Sequence, residues 1–100
     1  MKEITKNDIQ KRLRENKNFL KSKFHIIDIG LFGSFATEEN TVESDIDILV
    51  EFQKGHKDFF NYMRLKKYLQ ELLGREVDLV LKGAVKPRLK ERIFSQVQYV

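Results

Sequence analysis

Five residues in this sequence have the types and spacing needed for chemistry on phosphates. Gly33 and Ser34 follow an apolar run, and after ten further residues come Asp45 and Asp47, while Asp78 lies in a later β-branched run. A Gly-Ser turn between a strand and a helix can offer backbone N–H groups to phosphate oxygens. Neighbouring carboxylates are the oxygen ligands that Mg²⁺ or Mn²⁺ prefers. The combination indicates metal-dependent chemistry at a nucleotide phosphate.

Alternation along the strands predicts that these aspartates point away from the core. The apolar residues of the second strand are Ile46, Ile48, Val50 and Phe52. Residues two apart share a face, so Asp45 and Asp47 project together on the opposite side. Asp78 alternates with Val77 and Leu79 in the same way. Asp-x-Asp or Gly-Ser alone is more often a solvated pair or an ordinary turn, so the interpretation depends on their combination.

Hydrophobic periodicity predicts helices that alternate with strands. The predicted helices cover residues 6–21, a short turn after Gly33-Ser34, residues 58–73 and residues 87–94; the strands cover residues 25–32, 45–52 and 76–81, and residues 97–100 form an edge strand or a frayed tail. Tyr62 and one of Phe59 and Phe60 are predicted to be core residues. This order predicts a single α/β or α+β domain over residues 1–100 with a small central sheet.

Composition narrows the class of protein and of partner. No apolar run approaches the length of a membrane span, no signal-peptide pattern is present, and the chain has no cysteine, so we expect a cytoplasmic protein without membrane contact. The net charge is +4, but basic and acidic residues are interspersed, so no direct nucleic-acid binding is expected. Arg75, Lys82 and Arg88 are interpreted as solvated surface residues, although each could neutralise phosphate charge.

These residues resemble a known family, the minimal nucleotidyltransferases of the DNA polymerase β superfamily. The family signature is Gly-Ser, ten residues, Asp-x-Asp and a later Asp, which Gly33-Ser34, Asp45, Asp47 and Asp78 match without a gap. Residues 74–80 and 86–93 also look similar to the family, so the resemblance covers roughly residues 26–93. It implies an α/β (α+β) fold with a small mixed sheet flanked by helices.

The resemblance also implies roles and partners. Gly33 and Ser34 would hold a nucleoside triphosphate, Asp45 and Asp47 would bind two Mg²⁺ ions, and Asp78 would act as a metal ligand or as the base toward an acceptor hydroxyl. Many stand-alone members of this family are antitoxins paired with a HEPN-domain ribonuclease toxin. They transfer AMP from ATP to a toxin tyrosine and release pyrophosphate.

Two residues depart from the family pattern, which often reads Gly-Ser-x-Ala-Arg-Gly-Glu. Thr37 stands where arginine is usual and Glu38 where glycine is usual, whereas Glu39 keeps the acidic position. Two alternatives to the adenylyltransferase stay open, and these departures motivate the first of them. One is an antitoxin that neutralises its toxin by binding without catalysis, and the other is a nucleotidyltransferase for a small molecule.

Overall fold

A computed structural model of the chain describes residues 3–100. The helices are α1 (Lys6–Glu15), α2 (Lys17–Phe24), α3 (Gly33–Ala36), α4 (Phe59–Leu73) and α5 (Pro87–Gln96), with a short 3₁₀ helix at Lys82–Ala84. The strands are β1 (Ile26–Phe32), β2 (Ile46–Phe52), β3 (Val77–Leu81) and β4 (Gln98–Tyr99). None of the helices in the described residues is long and apolar enough to cross a membrane.

The strands form a mixed sheet in the order β3-β2-β1-β4. β1 pairs antiparallel with β2 and with β4, whereas β2 pairs parallel with β3. The predicted mixed sheet flanked by helices is therefore confirmed. The last residues are an edge strand rather than a frayed tail, because Gly30 and Leu31 of β1 pair with Tyr99 and Gln98.

The predicted first helix is in fact two helices, which meet at Asn16. The start is as expected, since Thr5 and Asp8 form a capping box with bonds of 3.2 and 3.0 Å. Asn16 then leaves the helical conformation, with φ −104° and ψ 7°. Its side chain donates to Arg12 O at 2.8 Å and accepts from the Tyr68 hydroxyl at 3.0 Å. A side chain that competes for backbone partners breaks the helix here.

The main core lies between one face of the sheet and helices α1, α2 and α4. The apolar residues of β2 that were expected to face inward are buried there: Ile46, Ile48, Val50 and Phe52. They pack with Ile9 and Leu13 of α1 and with Leu65 and Leu69 of α4. This arrangement confirms the strand alternation that directs Asp47 to the opposite face.

The opposite face of the sheet is only partly covered. Phe32, Leu49 and Val85 form a second, smaller apolar cluster, against which Ile93 of α5 and Val97 pack. Asp28 and Glu51 lie on this face beyond the cluster, and both are within 4.0 Å of the Lys82 ammonium. The second face of the sheet therefore carries a small apolar cluster beside charged residues, and α5 covers part of this face.

The exposed edge of the sheet, strand β3, is protected by side chains of α4. Ile46 N–H donates to Glu76 O, so residues 77, 79 and 81 direct their backbone groups outward. The Val77 N–H donates to Gln70 Oε1 at 3.2 Å, and the Tyr62 hydroxyl donates to Leu79 O at 2.7 Å. These two contacts occupy backbone groups that would otherwise be available to another strand.

The expectation that Phe59 or Phe60 belongs to the core is wrong. Both rings are exposed, at 69% and 72% of their surface, and they contact each other edge to face. Tyr62 is half-buried and packs against the main core. The buried face of α4 carries Asn61, Leu65 and Leu69, and the two phenylalanines that precede Asn61 lie off that face.

Asn61 provides a test of the packing at the start of α4. Its side chain is buried, and Nδ2 donates to Phe24 O and to His56 O, each at 2.9 Å. Asn61→Ala leaves both carbonyls without this donor and should lower the free energy of unfolding by about 2 kcal/mol. Urea denaturation measures the change. The control Asn18→Ala removes an exposed helical asparagine and should have little effect; equal losses in the two variants would contradict this role of Asn61.

Candidate active site

The register of the sheet brings the predicted site residues into one row. Phe32 pairs with Asp47 across the antiparallel ladder, and Asp47 pairs with Asp78 across the parallel ladder. Gly33 directly follows Phe32, and Asp45 lies two residues before Asp47. β2 begins at Ile46 rather than at Asp45, so Asp45 is an exposed residue just outside the strand. The row therefore places Gly33, Ser34 and the three aspartates at one end of the sheet.

Gly33 is required at this position for two reasons. Its backbone is left-handed, with φ +72°, and a Cβ added there would overlap with Asp47 Oδ2 and lie 2.8 Å from Asp47 Cγ. The absence of a side chain lets the Asp47 carboxylate approach the start of α3, where the Ser34 N–H donates a hydrogen bond to it. The backbone amide at Ser34 is thus directed at an anionic oxygen.

Asp47 is the electrostatically strained residue of the row. Its pKa is raised from 3.8 to about 6, first by burial and then by the negative charges of Asp78 and Asp45. The Ser34 N–H opposes this rise because it stabilises the carboxylate, whereas a side-chain hydrogen bond with Asp78 favours a proton between the two carboxyl groups. A bound cation would relieve the same repulsion.

The donor set fits Mg²⁺ only if the substrate provides part of the coordination. Within residues 3–100, no group of three or more His, Asp and Glu side chains is arranged to hold a metal ion. Asp47 and Asp78 are nevertheless hydrogen-bonded to each other, with Asp45 close enough to raise the Asp47 pKa. Mg²⁺ is commonly held by one or two carboxylates together with phosphate oxygens and water. The aspartates are consistent with such a partial site.

The loop that leads to Asp45 is held by Arg75, which corrects its interpretation as a solvated residue. Its Nε donates to Ser44 O at 2.7 Å, and its terminal nitrogen donates to Thr41 O at 3.1 Å and to Val42 O. The guanidinium also lies over the ring of Phe35, 5.4 Å from the centroid. Arg75 therefore fixes the backbone just before the first aspartate.

Thr37 and Glu38, which depart from the family pattern, have local roles at the end of α3. The Thr37 hydroxyl lies 3.3 Å from Gly33 O and 3.3 Å from Ser34 O, so it caps the short helix. Glu38 has φ +61°, a left-handed conformation that favours glycine, and its carboxylate is 3.7 Å from the Lys6 ammonium. The usual glycine at this position is thus explained by backbone conformation.

One residue beside the site was not identified from the sequence. Arg92 of α5 lines a cavity of about 260 Å³ together with residues of the Gly33-Ser34 turn. The other lining residues are Thr37, Glu39 and Gln96. The only sequence signal was the spacing of Arg88 and Arg92, four residues apart on one helical face. The spacing alone does not show which part of the protein this face of α5 packs against.

Comparison with known families identifies the fold and its chemistry. Residues 13–100 match the family described as Nucleotidyltransferase domain. The chain belongs to this family. A Methanocaldococcus jannaschii protein provisionally named protein adenylyltransferase MJ0128 is 45% identical over 97 residues, covering 96% of this chain and 98% of that protein. The protein adenylyltransferase MntA of Thermococcus cleftensis is 35% identical over 97 residues, covering 97% of each chain.

Solved structures confirm the expected relationship to minimal nucleotidyltransferases. One protein, provisionally described as a minimal nucleotidyltransferase, superposes with a TM-score of 0.80 at 32% identity, covering 95% of each chain. A toxin–antitoxin complex with AMP-PNP matches at TM-score 0.67 and 28% identity, over 96% of this chain and 72% of that one. An MNT antitoxin bound to a tri-AMPylated Shewanella oneidensis HEPN toxin matches at 0.57 and 28%, over 94% and 66%.

The close approach at Gly33 can be tested by comparing two glycines with the same backbone conformation. Gly74 also has a left-handed φ, +67°, but an added Cβ there meets nothing within 4 Å. Both Gly33→Ala and Gly74→Ala should destabilise the protein through backbone strain, and Gly33→Ala should cost about 1 kcal/mol more because Asp47 must move. Urea denaturation measures both variants. An equal cost would show that the Asp47 contact contributes nothing.

The raised pKa of Asp47 predicts a pH-dependent stability. The folded chain holds this proton more tightly than the unfolded chain, so the free energy of unfolding falls as pH rises from 3.8 to about 6 and stays lower above that range. Asp47→Asn removes the effect. In chelator at pH 7.5 the variant should be more stable than wild type by about 1 kcal/mol, a value reduced for solvent screening.

Urea denaturation between pH 4 and pH 8 checks this prediction. The advantage of Asp47→Asn should shrink to a small part of its value at pH 4, where the folded wild type holds the proton and the unfolded chain is close to half protonated. Glu43→Gln, which neutralises an exposed carboxylate in the loop before Asp45, is the matched control. A constant difference across the range, or the same pH profile in Glu43→Gln, would contradict the assignment to Asp47.

Proposed function

We propose that this chain is a Mg²⁺-dependent protein adenylyltransferase that acts as an antitoxin in the cytoplasm. Its substrate would be ATP, and its acceptor a tyrosine of a HEPN-type ribonuclease toxin. The observation that carries the proposal is the row in which Asp47 contacts Asp78 and directs its carboxylate at the Gly33-Ser34 turn. This row places a cation-attracting pair of carboxylates beside a Gly-Ser turn, the two parts that transfer of a nucleotide uses.

Each residue of the row has a proposed role. Gly33 and Ser34 bind the triphosphate at their turn, Ser34 through its hydroxyl, since its backbone N–H donates to Asp47. Asp45 and Asp47 would hold two Mg²⁺ ions, and Asp78 would be a further ligand or the base. Bound Mg²⁺ would neutralise phosphate charge and stabilise the leaving pyrophosphate. The repulsion that raises the Asp47 pKa supports this assignment, because the carboxylates are arranged at a cost that a cation would offset.

The reaction transfers an AMP group without a change in oxidation state. The acceptor oxygen of tyrosine forms a bond to the α-phosphorus of ATP while the bond from that phosphorus to the bridging oxygen breaks. If Asp78 is the base rather than a further ligand, it accepts the phenolic proton from its position next to Asp47 on the neighbouring strand. The Gly33-Ser34 turn holds the phosphates in place during the transfer. The products are AMP-tyrosine and pyrophosphate.

The relatives support the acceptor and the partner. The related MntA is named a protein adenylyltransferase, and a similar MNT antitoxin is bound to a tri-AMPylated HEPN toxin. AMP-PNP is present in another related toxin–antitoxin complex, which supports a nucleoside triphosphate as substrate. We therefore propose the HEPN toxin as the partner of this chain.

Label transfer tests the proposed function. The purified chain is incubated with Mg²⁺, ATP labelled at the α-phosphate and a HEPN toxin from the same genome, and mass spectrometry locates the modified residue. We expect AMP on a toxin tyrosine, no transfer in chelator, and a loss of at least about 100-fold in Asp47→Asn and Asp78→Asn. Asp28→Asn is the control, since Asp28 lies on the same face of the sheet but two rows away.

Other outcomes would overturn parts of the proposal. Transfer that persists in Asp47→Ala would exclude the proposed mechanism. Toxin neutralisation that survives the double change Asp45→Ala and Asp47→Ala would instead support an antitoxin that acts by binding. Transfer of AMP to small hydroxyl compounds, with none to protein, would support a small-molecule substrate.

A further inference from the structure

The cavity between α3 and α5 has a composition that suits one part of a nucleotide. It measures about 260 Å³, and on one side it is lined by Gly33 and Ser34, on the other by Arg92 and Gln96. Complete small-molecule sites are typically about 300–1,000 Å³. The cavity therefore has room for a portion of ATP next to the turn that we propose binds its phosphates.

Arg92 is the basic residue of this cavity, and its guanidinium is available for a ligand. Among residues 3–100, no carboxylate forms an ion pair with it. The Ser95 hydroxyl donates to its backbone carbonyl, and within the described part of the chain its guanidinium forms no hydrogen bond. The side chain is exposed and belongs to a helix that packs against the start of α3. Its five donors can therefore meet a bound anion.

Three other basic residues near the candidate site have other partners, and Arg88 does not line the cavity. Arg75 donates to three backbone carbonyls of the loop before Asp45. Lys82 lies within 4.0 Å of Asp28 and Glu51 and over the ring of Tyr99. Lys6 pairs with Glu38. Arg92 is the cation that lines the same cavity as the Gly33-Ser34 turn.

We propose that Arg92 binds the β- and γ-phosphates of the nucleotide, across the cavity from Gly33 and Ser34. This inference rests on the proposed function, since it requires a nucleoside triphosphate in the site. The guanidinium presents paired donors that match phosphate oxygens. It also offsets the carboxylate of Glu39, which lines the same cavity and would otherwise repel phosphate. During transfer, Arg92 stabilises the charge that collects on the leaving pyrophosphate.

Equilibrium binding tests the inference without depending on catalysis. Isothermal titration with AMP-PNP and with AMP, both in Mg²⁺, is carried out on wild type, Arg92→Ala and Arg92→Lys. Arg92→Ala should raise the Kd for AMP-PNP about tenfold or more and leave the Kd for AMP unchanged, since AMP lacks the β- and γ-phosphates. Arg92→Lys should recover part of the loss, because it restores the charge without the paired donors.

Two further variants separate a phosphate contact from a change in helix α5. Arg88→Ala removes a cation one turn earlier on the same helix, outside the cavity lining, and should leave AMP-PNP affinity unchanged. Gln96→Arg in the Arg92→Ala background returns a cation to the cavity wall and should restore part of the affinity. Thermal unfolding of each variant confirms that it is folded.

The outcomes distinguish this inference from the proposed function. Equal AMP-PNP affinity in wild type and Arg92→Ala would overturn the role of Arg92 and leave the adenylyltransferase standing. An equal loss for AMP and AMP-PNP would also overturn it, since the contact would not involve the β- and γ-phosphates. No binding of AMP-PNP to the wild type would overturn both.

Discussion

The approach of the Asp47 carboxylate to the backbone at Gly33 is the constraint on which the site depends. A Cβ at position 33 would lie 2.8 Å from Asp47 Cγ, so the carboxylate can come this close only because residue 33 is glycine. The approach in turn requires the register in which Phe32 pairs with Asp47 and Asp47 with Asp78. A shift of one residue would move Asp47 into the main core and Ile46 or Ile48 out of it. Burial of the apolar residues thus fixes the row of polar ones.

The features that the sequence predicted well are those with local causes. Alternation in β2 follows from the period of a strand, and it located the buried face correctly because Ile46, Ile48 and Val50 are all needed in the core. The Thr5–Asp8 capping box lies within one helical turn, so its residues are visible as neighbours in the sequence. Family membership was predictable because the Gly-Ser and Asp-x-Asp spacing is itself local.

The features that could not be predicted from the sequence depend on contacts between segments that are distant along the chain. Asn16 ends a helix through a bond to Tyr68, a residue of α4, and no pattern near Asn16 contains that partner. Arg75 contacts a loop more than thirty residues earlier. Phe59 and Phe60 have core-type side chains, but the position of α4 on the sheet leaves them exposed. Sequence periodicity describes one element at a time, so it cannot specify which surfaces these elements meet.

The two faces of the sheet have different roles: one carries most of the apolar core, and the other carries the candidate active site. The face under α1, α2 and α4 carries the large apolar cluster, whereas the other carries only the small cluster around Leu49. The carboxylates occupy the end of this second face, where partial burial raises the Asp47 pKa and the neighbouring charges repel. The protein can tolerate the free-energy cost of these repelling carboxylates because the apolar burial on the first face does not depend on them. The incomplete cover by α5 leaves a cavity between α3 and α5, and this cavity brings Arg92 to the same space as the Gly33-Ser34 turn, whose other side faces Asp47.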